Sequence, residues 1–413
     1  MYEPIKQIPL NPVRTHQVVA ATLFLLGMYS PSSFGGVYSE SLWVLYGLAF
    51  VCLLFPLLFE RNGMGSSGLC VNSILLIASL LAATVISPFS EYRWGGLFGF
   101  LLLAFLYLVV LRDVTGGKSL QIIFVLANLV NVMLGMAVIL GSELVDNFLV
   151  RYYSSFYPEL LEMMMGFRKP VLSFATHSVA AFFFYLFFFL NFETYKVKKS
   201  RVYLIFALCY VGLTFSLFSF SSMALTSFAV FQVLRYSAQR RRKTVMAILV
   251  VTILAVGAFV IRYLAELENL ATISQAVSLA LTSPTSGFLG RFSQVGTLYD
   301  TVNYLRSRPF SPVGLSYRGD LFFGDSGLVE YYLRGSIALV ITVYAGLFLF
   351  LKRNLIFRRD ANLLFVVIAA FELGFTSLTY IRTLYLLPVF VIYLNDLRRT
   401  QGISVPSSLL APG

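Results

Sequence analysis

From Ser119 to Ser142 no side chain is charged, a run longer than the roughly 20 apolar residues that carry an α-helix across a bilayer core. Runs of this kind recur along the whole sequence, separated by clusters of charge. About twelve can be read off, centred on residues 17–34, 42–59, 69–87, 95–111, 120–140, 171–191, 202–218, 222–237, 244–262, 336–351, 362–378 and 383–396. Composition agrees, with 58% hydrophobic and 12% charged residues, where soluble domains have about 25% charged. The expected fold is therefore all-α: a polytopic integral membrane protein of about twelve transmembrane helices. Val202 to Leu234 could form one long helix, but Ser219 to Ser222 make a polar break and favour two short spans.

Lysine and arginine bias in the loops sets orientation. Alternate loops hold Arg61; Arg112 and Lys118; Lys196 to Arg201; Arg235 to Lys243; Lys352 to Arg359; and Arg398 with Arg399. Those loops and both termini are expected in the cytoplasm. The chain then divides into N-terminal membrane helices (1–140), a first outer loop (141–170), central helices (171–262), a large outer loop (263–335), C-terminal helices (336–400) and a cytoplasmic tail (401–413). The N-terminus lacks a short apolar core with a small-residue cleavage site, so a cleaved signal peptide is not expected.

The two large outer loops break the usual charge rule, because they contain Arg151, Arg168, Lys169, Arg291, Arg306, Arg308, Arg318 and Arg334. Guanidinium forks bind phosphate oxygens in pairs and stay protonated. Such a concentration outside the membrane points to a polyanion such as a phosphate or diphosphate. The bland alternative is ordinary pairing with Glu143, Asp146, Glu159, Glu162, Asp300, Asp320, Asp325 and Glu330.

Other classes find no support. Cys52, Cys70 and Cys209 lie in or beside apolar segments, and the only histidines are His16 and His177. Neither a disulfide nor a metal centre is expected. There is no Gly-rich phosphate loop followed by lysine, no nucleotide fingerprint, no repeat of fixed period and no sign of a nucleic-acid partner. No cofactor is expected.

Four stretches resemble a known family. FSLFSFSSMAL (215–225) takes the place of a Leu-rich segment ending in Ser-Arg, with Met223 where the arginine would be. GRFSQVGTLYDTVNYLRSRPFSPVGLS (290–316) is similar to Gly-Arg followed at a distance by Pro-x-x-Gly-x-Gly, and Ser316 replaces the second glycine. GDSGLVEYYLRGSIAL (324–339) is similar to an Asp or His, a small polar residue, an aliphatic run and a glycine opening the next helix. MGFRKPVLSFATHSVAAFF (165–183) resembles an outer-loop arginine before a helix start, and Arg308 to Gly319 fits an Arg-x10-Gly spacing. In order and spacing these resemble the Wzy-type O-antigen polymerases and the related O-antigen ligases, over residues 165 to 350. Ligases tend to carry His-Asn where this chain has Asp325-Ser326, so the likeness leans to the polymerases.

The resemblance implies a glycosyltransferase of the bacterial inner membrane. Its substrate would be an oligosaccharide repeat on undecaprenyl diphosphate, joined at the periplasmic face, with membrane lipid and a polysaccharide chain-length regulator as further partners. Loss of the lipid diphosphate builds negative charge, which cations stabilise as the bond breaks. Arg291 and Arg168 are the first candidates for that role, followed by Arg308, Arg318 and Arg382. Arg291 precedes an amphipathic stripe from Phe292 to Leu305, expected to be a helix. Arg168 is expected just before a helix start, where backbone N–H groups also favour an anion.

His177, two turns into that expected helix, and Asp325, between Gly324 and Gly327, are rival general bases for the acceptor hydroxyl. The structural alternatives are a hydrogen-bonded core histidine and a helix N-cap. Glu372, inside an apolar run, is functional or paired by default, and it is counted with His177 and Asp325 among the catalytic candidates. Two rivals remain in view: an O-antigen ligase that moves polymer to lipid A core, and a flippase of the lipid-linked unit.

Overall fold

A computed structural model describes residues 12–59, 67–92, 95–154, 158–174, 176–217, 219–240, 292–294, 296–316, 321 and 326–401. Their elements in chain order are α1 (Pro12–Tyr29), a small hairpin of β1 (Ser33–Phe34) and β2 (Val37–Tyr38), α2 (Glu40–Phe59), α3 (Ser67–Ile86), α4 (Gly95–Leu108) and α5 (Gly117–Ile139). Two short helices follow, α6 (Glu143–Tyr153) and α7 (Pro158–Gly166), then a 3-10 turn at Leu172–Phe174. The second half holds α8 (His177–Lys198), α9 (Arg201–Phe215), α10 (Phe220–Arg240), α11 (Tyr299–Ser307), α12 (Gly327–Asn354), α13 (Arg358–Glu372) and α14 (Ile381–Arg399). The elements of the described residues are helical apart from the hairpin and an isolated antiparallel bridge between Tyr92 and Ser316. Among the described residues, five helices are long and apolar enough to cross a membrane: those over Glu40–Leu58, Ser67–Ile86, Gly117–Ile139, His177–Lys198 and Gly327–Asn354.

Two helices form the centre. Every residue of α8 from Ser178 to Tyr195 is buried, as is every residue of α14 from Ile381 to Leu397. A helix that is apolar on all faces needs protein or lipid around its whole circumference, and the Phe-rich run of α8 is enclosed by protein. It packs on α9, α10 and α14, and α14 in turn packs on α1, α2 and α4. Outer helices keep apolar faces open: Val85 is 84% exposed on α3 and Met133 63% exposed on α5. Aligned on long apolar helices, those faces suit lipid.

Few polar groups enter this core, and they satisfy one another, as low-dielectric surroundings require. The amides of Asn128 and Asn191 exchange hydrogen bonds of 2.9 and 3.0 Å between α5 and α8. Thr194 and Tyr393 meet at 3.0 Å between α8 and α14.

Helix ends gather at two poles. At the lower pole Asp396 accepts from the amides of Gly116 and Gly117 at 2.8 and 3.0 Å, and Arg398 joins α14 to Asp360 of α13 and Glu193 of α8. At the upper pole are the end of α1, the ends of α3, α5 and α13, and the starts of α8, α12 and α14. Contacts there include Tyr153 Oη to Tyr29 O at 2.8 Å and a Trp43–Tyr380 ring pair.

Element by element, the apolar runs became helices with three shifts. The break at Ser219 separates α9 from α10, as expected. The run from 171 begins its helix only at His177, because Leu172 takes a left-handed φ of 52° and Thr176 supplies the N-cap. The run from 336 begins earlier, at Gly327, with a break at Gly335 and Ser336. The run from 362 stops at Glu372. The expected span over 244–262 lies outside the described residues.

Candidate functional site

Glu372 sits at the end of α13 rather than within a span, and no part of it is exposed. Oε1 accepts from Ser377 N and Ser377 Oγ, both at 2.5 Å, and from Leu378 N at 2.7 Å. The carboxylate thus closes the turn that leads into α14. Its other oxygen lies against Gly327, where a Cβ would overlap it, and faces the Tyr331 hydroxyl of α12. One residue back, Phe371 stacks on Phe182 of α8 with ring centroids 4.5 Å apart. The carboxylate therefore stands where α12 begins, α13 ends and the first turns of α8 pack.

The Pro-Val-Gly-Leu-Ser stretch singled out in the sequence is a lock between α3 and α12. Gly335 and Ser336, with φ of −144° and 58°, interrupt α12. A helix broken there cannot cover the carbonyls of Leu333 and Arg334 from its own next turn. Val313 N and Gly314 N cover them instead, each at 2.8 Å. Gly314 has a φ of +58°, and a Cβ on it would overlap the Thr84 backbone. Thr84 Oγ1 then accepts from Leu315 N at 3.0 Å. Arg334 completes the joint, with Nε 2.8 Å from Glu330 Oε1 and a guanidinium N–H donated to Gly314 O at 3.2 Å.

Arg168 does not precede a helix start. It ends α7 in a left-handed conformation, φ 51°, with its N–H donated to Met165 O at 2.7 Å. The neighbouring backbone groups are thus helix carbonyls, not amides, and cannot help to hold an anion. Its side chain is exposed and passes over Gly141 beside Asp146. Burial pushes the Asp146 carboxyl up, and Arg168 pulls it part of the way back. Lys169 is half-buried over the Phe167 ring and makes no ion pair among the described residues. Burial brings its amine down to about 8. Sequence reading counted this lysine among the outer cations but not as a site residue; the signal was its place between Arg168 and Pro170.

His177 is the first residue of α8, not two turns in, and is half-buried. Thr176 caps the helix, accepting from Val179 N at 3.4 Å. The helix-start amides expected near Arg168 are therefore found at His177, where α8 presents the positive end of its dipole.

Arg382 is 3% exposed and donates to Gly27 O, Met28 O and Ser30 O at 3.2, 3.2 and 2.7 Å. It caps the C-terminus of α1, with its guanidinium over the Tyr153 ring. Its place is structural, at a helix end whose carbonyls attract a cation. Arg308 follows α11 and is exposed. The helix expected from Phe292 to Leu305 is shorter, Tyr299–Ser307, after turns at Ser293 and Gly296. Arg291, Arg318 and Asp325 lie outside the described residues. For Asp325 the N-cap role is taken by its neighbour Ser326, whose hydroxyl accepts from Val329 N at 3.5 Å. The upper pole thus brings Glu372, Gly327 and the start of α8 together, while Arg382 turns to α1 and Arg168 to α6. No protein-family model, curated protein or solved structure matches the chain.

Proposed function

We propose that the protein polymerises oligosaccharide repeat units carried on undecaprenyl diphosphate at the outer face of the bacterial inner membrane. In this reading about twelve helices span the membrane, both termini are cytoplasmic, and the upper pole faces the periplasm. The observation that supports it best is a half-buried lysine close in the chain to a histidine at a helix start. Lys169 has no ion pair among the described residues, and His177 opens α8 eight residues later.

The reaction forms a bond from an acceptor sugar oxygen to the anomeric carbon of the donor repeat and breaks the bond from that carbon to the diphosphate. The acceptor proton goes to His177 or Asp325, and the bonding electron pair leaves with the lipid diphosphate. Arg168, Lys169, Arg291, Arg308 and Arg318 would neutralise the leaving group, a gain that is largest as its charge develops. Arg382 and Glu372 are positioning residues in this scheme.

Purified protein given a synthetic diphosphate-linked repeat is expected to make a ladder of products. In cells, Arg168→Ala and Arg291→Ala are each expected to abolish long polymer while a single repeat still reaches lipid A core. Persistence of long polymer in both variants would refute the arginine role. Loss of even the single unit in a deletion strain would favour transport, and polymer left unattached would favour a ligase.

A dependence on pH follows from Lys169. If its charge helps to hold the diphosphate, polymer yield should fall as pH rises through about 8. Lys169→Arg should move that fall upward by at least about one pH unit, since a guanidinium keeps its proton. An unchanged pH profile in that variant would remove Lys169 from the site. Stability runs the other way. The unfolded lysine holds its proton to higher pH than the folded one, so between about 8 and the ordinary lysine value the fold gains stability as pH rises.

A further inference from the structure

The lower pole, away from Glu372, contains a cavity of about 880 Å³ between the C-terminal ends of α8 and α10 and the start of α13. Among the described residues six cations line it, Lys196, Lys199, Arg235, Arg358, Arg359 and Arg398, and two carboxylates, Glu193 and Asp360. Those two are already engaged. Glu193 pairs with Lys196 at 2.6 Å and with Arg398 at 2.8 Å, while Asp360 takes Arg398 through two bonds of 2.8 and 3.0 Å. This network is largely buried and ties α8, α13 and α14 together, so its charges are not available to a ligand.

Four cations remain. Lys199, Arg235, Arg358 and Arg359 have no carboxylate partner among the described residues. Lys199 is held in place by a left-handed backbone at the end of α8, φ 57°, and its amine donates to Tyr236 Oη at 3.3 Å. Charges scattered over a surface would serve topology equally well. Gathered in a concavity they repel one another, and they focus a field that attracts an anion.

The walls say which anion. Phe231 and Val366 line the same cavity and are 55% and 58% exposed, on helix faces of the kind that meets lipid. A ligand seated among the cations could lay an apolar chain along these two side chains. A soluble anion would leave them uncovered.

We propose that this cavity binds a membrane lipid whose headgroup carries two phosphate charges. Lys199, Arg235, Arg358 and Arg359 take the phosphates, and Phe231 and Val366 take the first part of an acyl chain. The site is separate from the upper pole and independent of the polymerase reading.

The test uses the full-length protein purified in neutral detergent, titrated with diphosphatidylglycerol, with phosphatidylcholine, or with inorganic pyrophosphate, and read by native mass spectrometry and by thermal shift. Diphosphatidylglycerol should be retained and should raise Tm, and phosphatidylcholine should do neither. The variant Arg235→Gln/Arg358→Gln/Arg359→Gln removes only side chains without ion-pair partners among the described residues, so it should fold with an unchanged Tm in lipid-free detergent. Its affinity for diphosphatidylglycerol should drop by roughly fivefold per cation, on the order of a hundredfold together. Equal binding by the triple variant would overturn the site. Binding of pyrophosphate as tight as that of the lipid would overturn the lipid assignment. Phe231→Ser/Val366→Ser should weaken lipid binding without affecting pyrophosphate, and no change there would likewise count against an acyl chain in the cavity.

Discussion

Alanine at Gly314 is expected to leave little folded protein in the membrane. The residue has a φ of +58°, a conformation that costs an L side chain about 1–2 kcal/mol. Its new Cβ would also overlap the backbone of Thr84, which cannot rotate away as a side chain could. Overpacking of this sort costs about 1–3 kcal/mol or more. Any backbone shift that relieved it would pull Val313 N and Gly314 N from the carbonyls of the interrupted α12, at about 1 kcal/mol each. Together these come to several kcal/mol, a large share of the roughly 5–15 kcal/mol that holds an ordinary domain together. Size-exclusion profiles and Tm in detergent would show it. Gly166→Ala is the control, since nothing lies within 4 Å of the added methyl group and it should change neither reading. A monodisperse Gly314→Ala protein with wild-type Tm would mean that the crossing of α3 and α12 bears no structural weight.

Substitutions at Glu372 are expected to separate shape from charge. Glu372→Ala removes the acceptor for two buried amides and one hydroxyl, each left unsatisfied at about 1–3 kcal/mol. The turn between α13 and α14 should open and Tm should fall markedly. Glu372→Gln keeps an oxygen where Oε1 now sits, so Tm should stay close to wild type and, on the proposed polymerase reading, polymer should still form. A folded but inactive Gln variant would instead make the carboxylate chemical. Gly327→Ala gives an independent check. Alone it collides with Oε2, but combined with Glu372→Ala the collision disappears, so the double variant should be far less damaged than the sum of the singles.

Much of this architecture was legible as hydropathy, because an apolar run longer than a bilayer is thick admits few structures other than a helix. Helix ends were not. α8 starts late because Leu172 turns left-handed and Thr176 offers a better cap, neither of which hydropathy registers. That shift moved His177 from the body of a helix to its first position and set Arg168 at the end of α7. Glu372 was visible as an anomaly, a charge among apolar residues, but its partners Ser377 and Leu378 are ordinary residues with no marking in the sequence. Arg382 misled in the opposite way. An arginine at a helix start invites a ligand, and only the arrival of α1 beside it shows that three main-chain carbonyls occupy its donors. The PVGLS stretch stood out through its proline and glycine, and the structure places it at a backbone crossing between α3 and α12.

A helix bathed in lipid tilts when the surrounding bilayer thins or thickens, at a cost of fractions of a kcal/mol per Å of mismatch. α8 meets protein on every side along its apolar length. Changes in acyl-chain length would therefore be absorbed by α3 and α5 on the perimeter, while His177 keeps its depth.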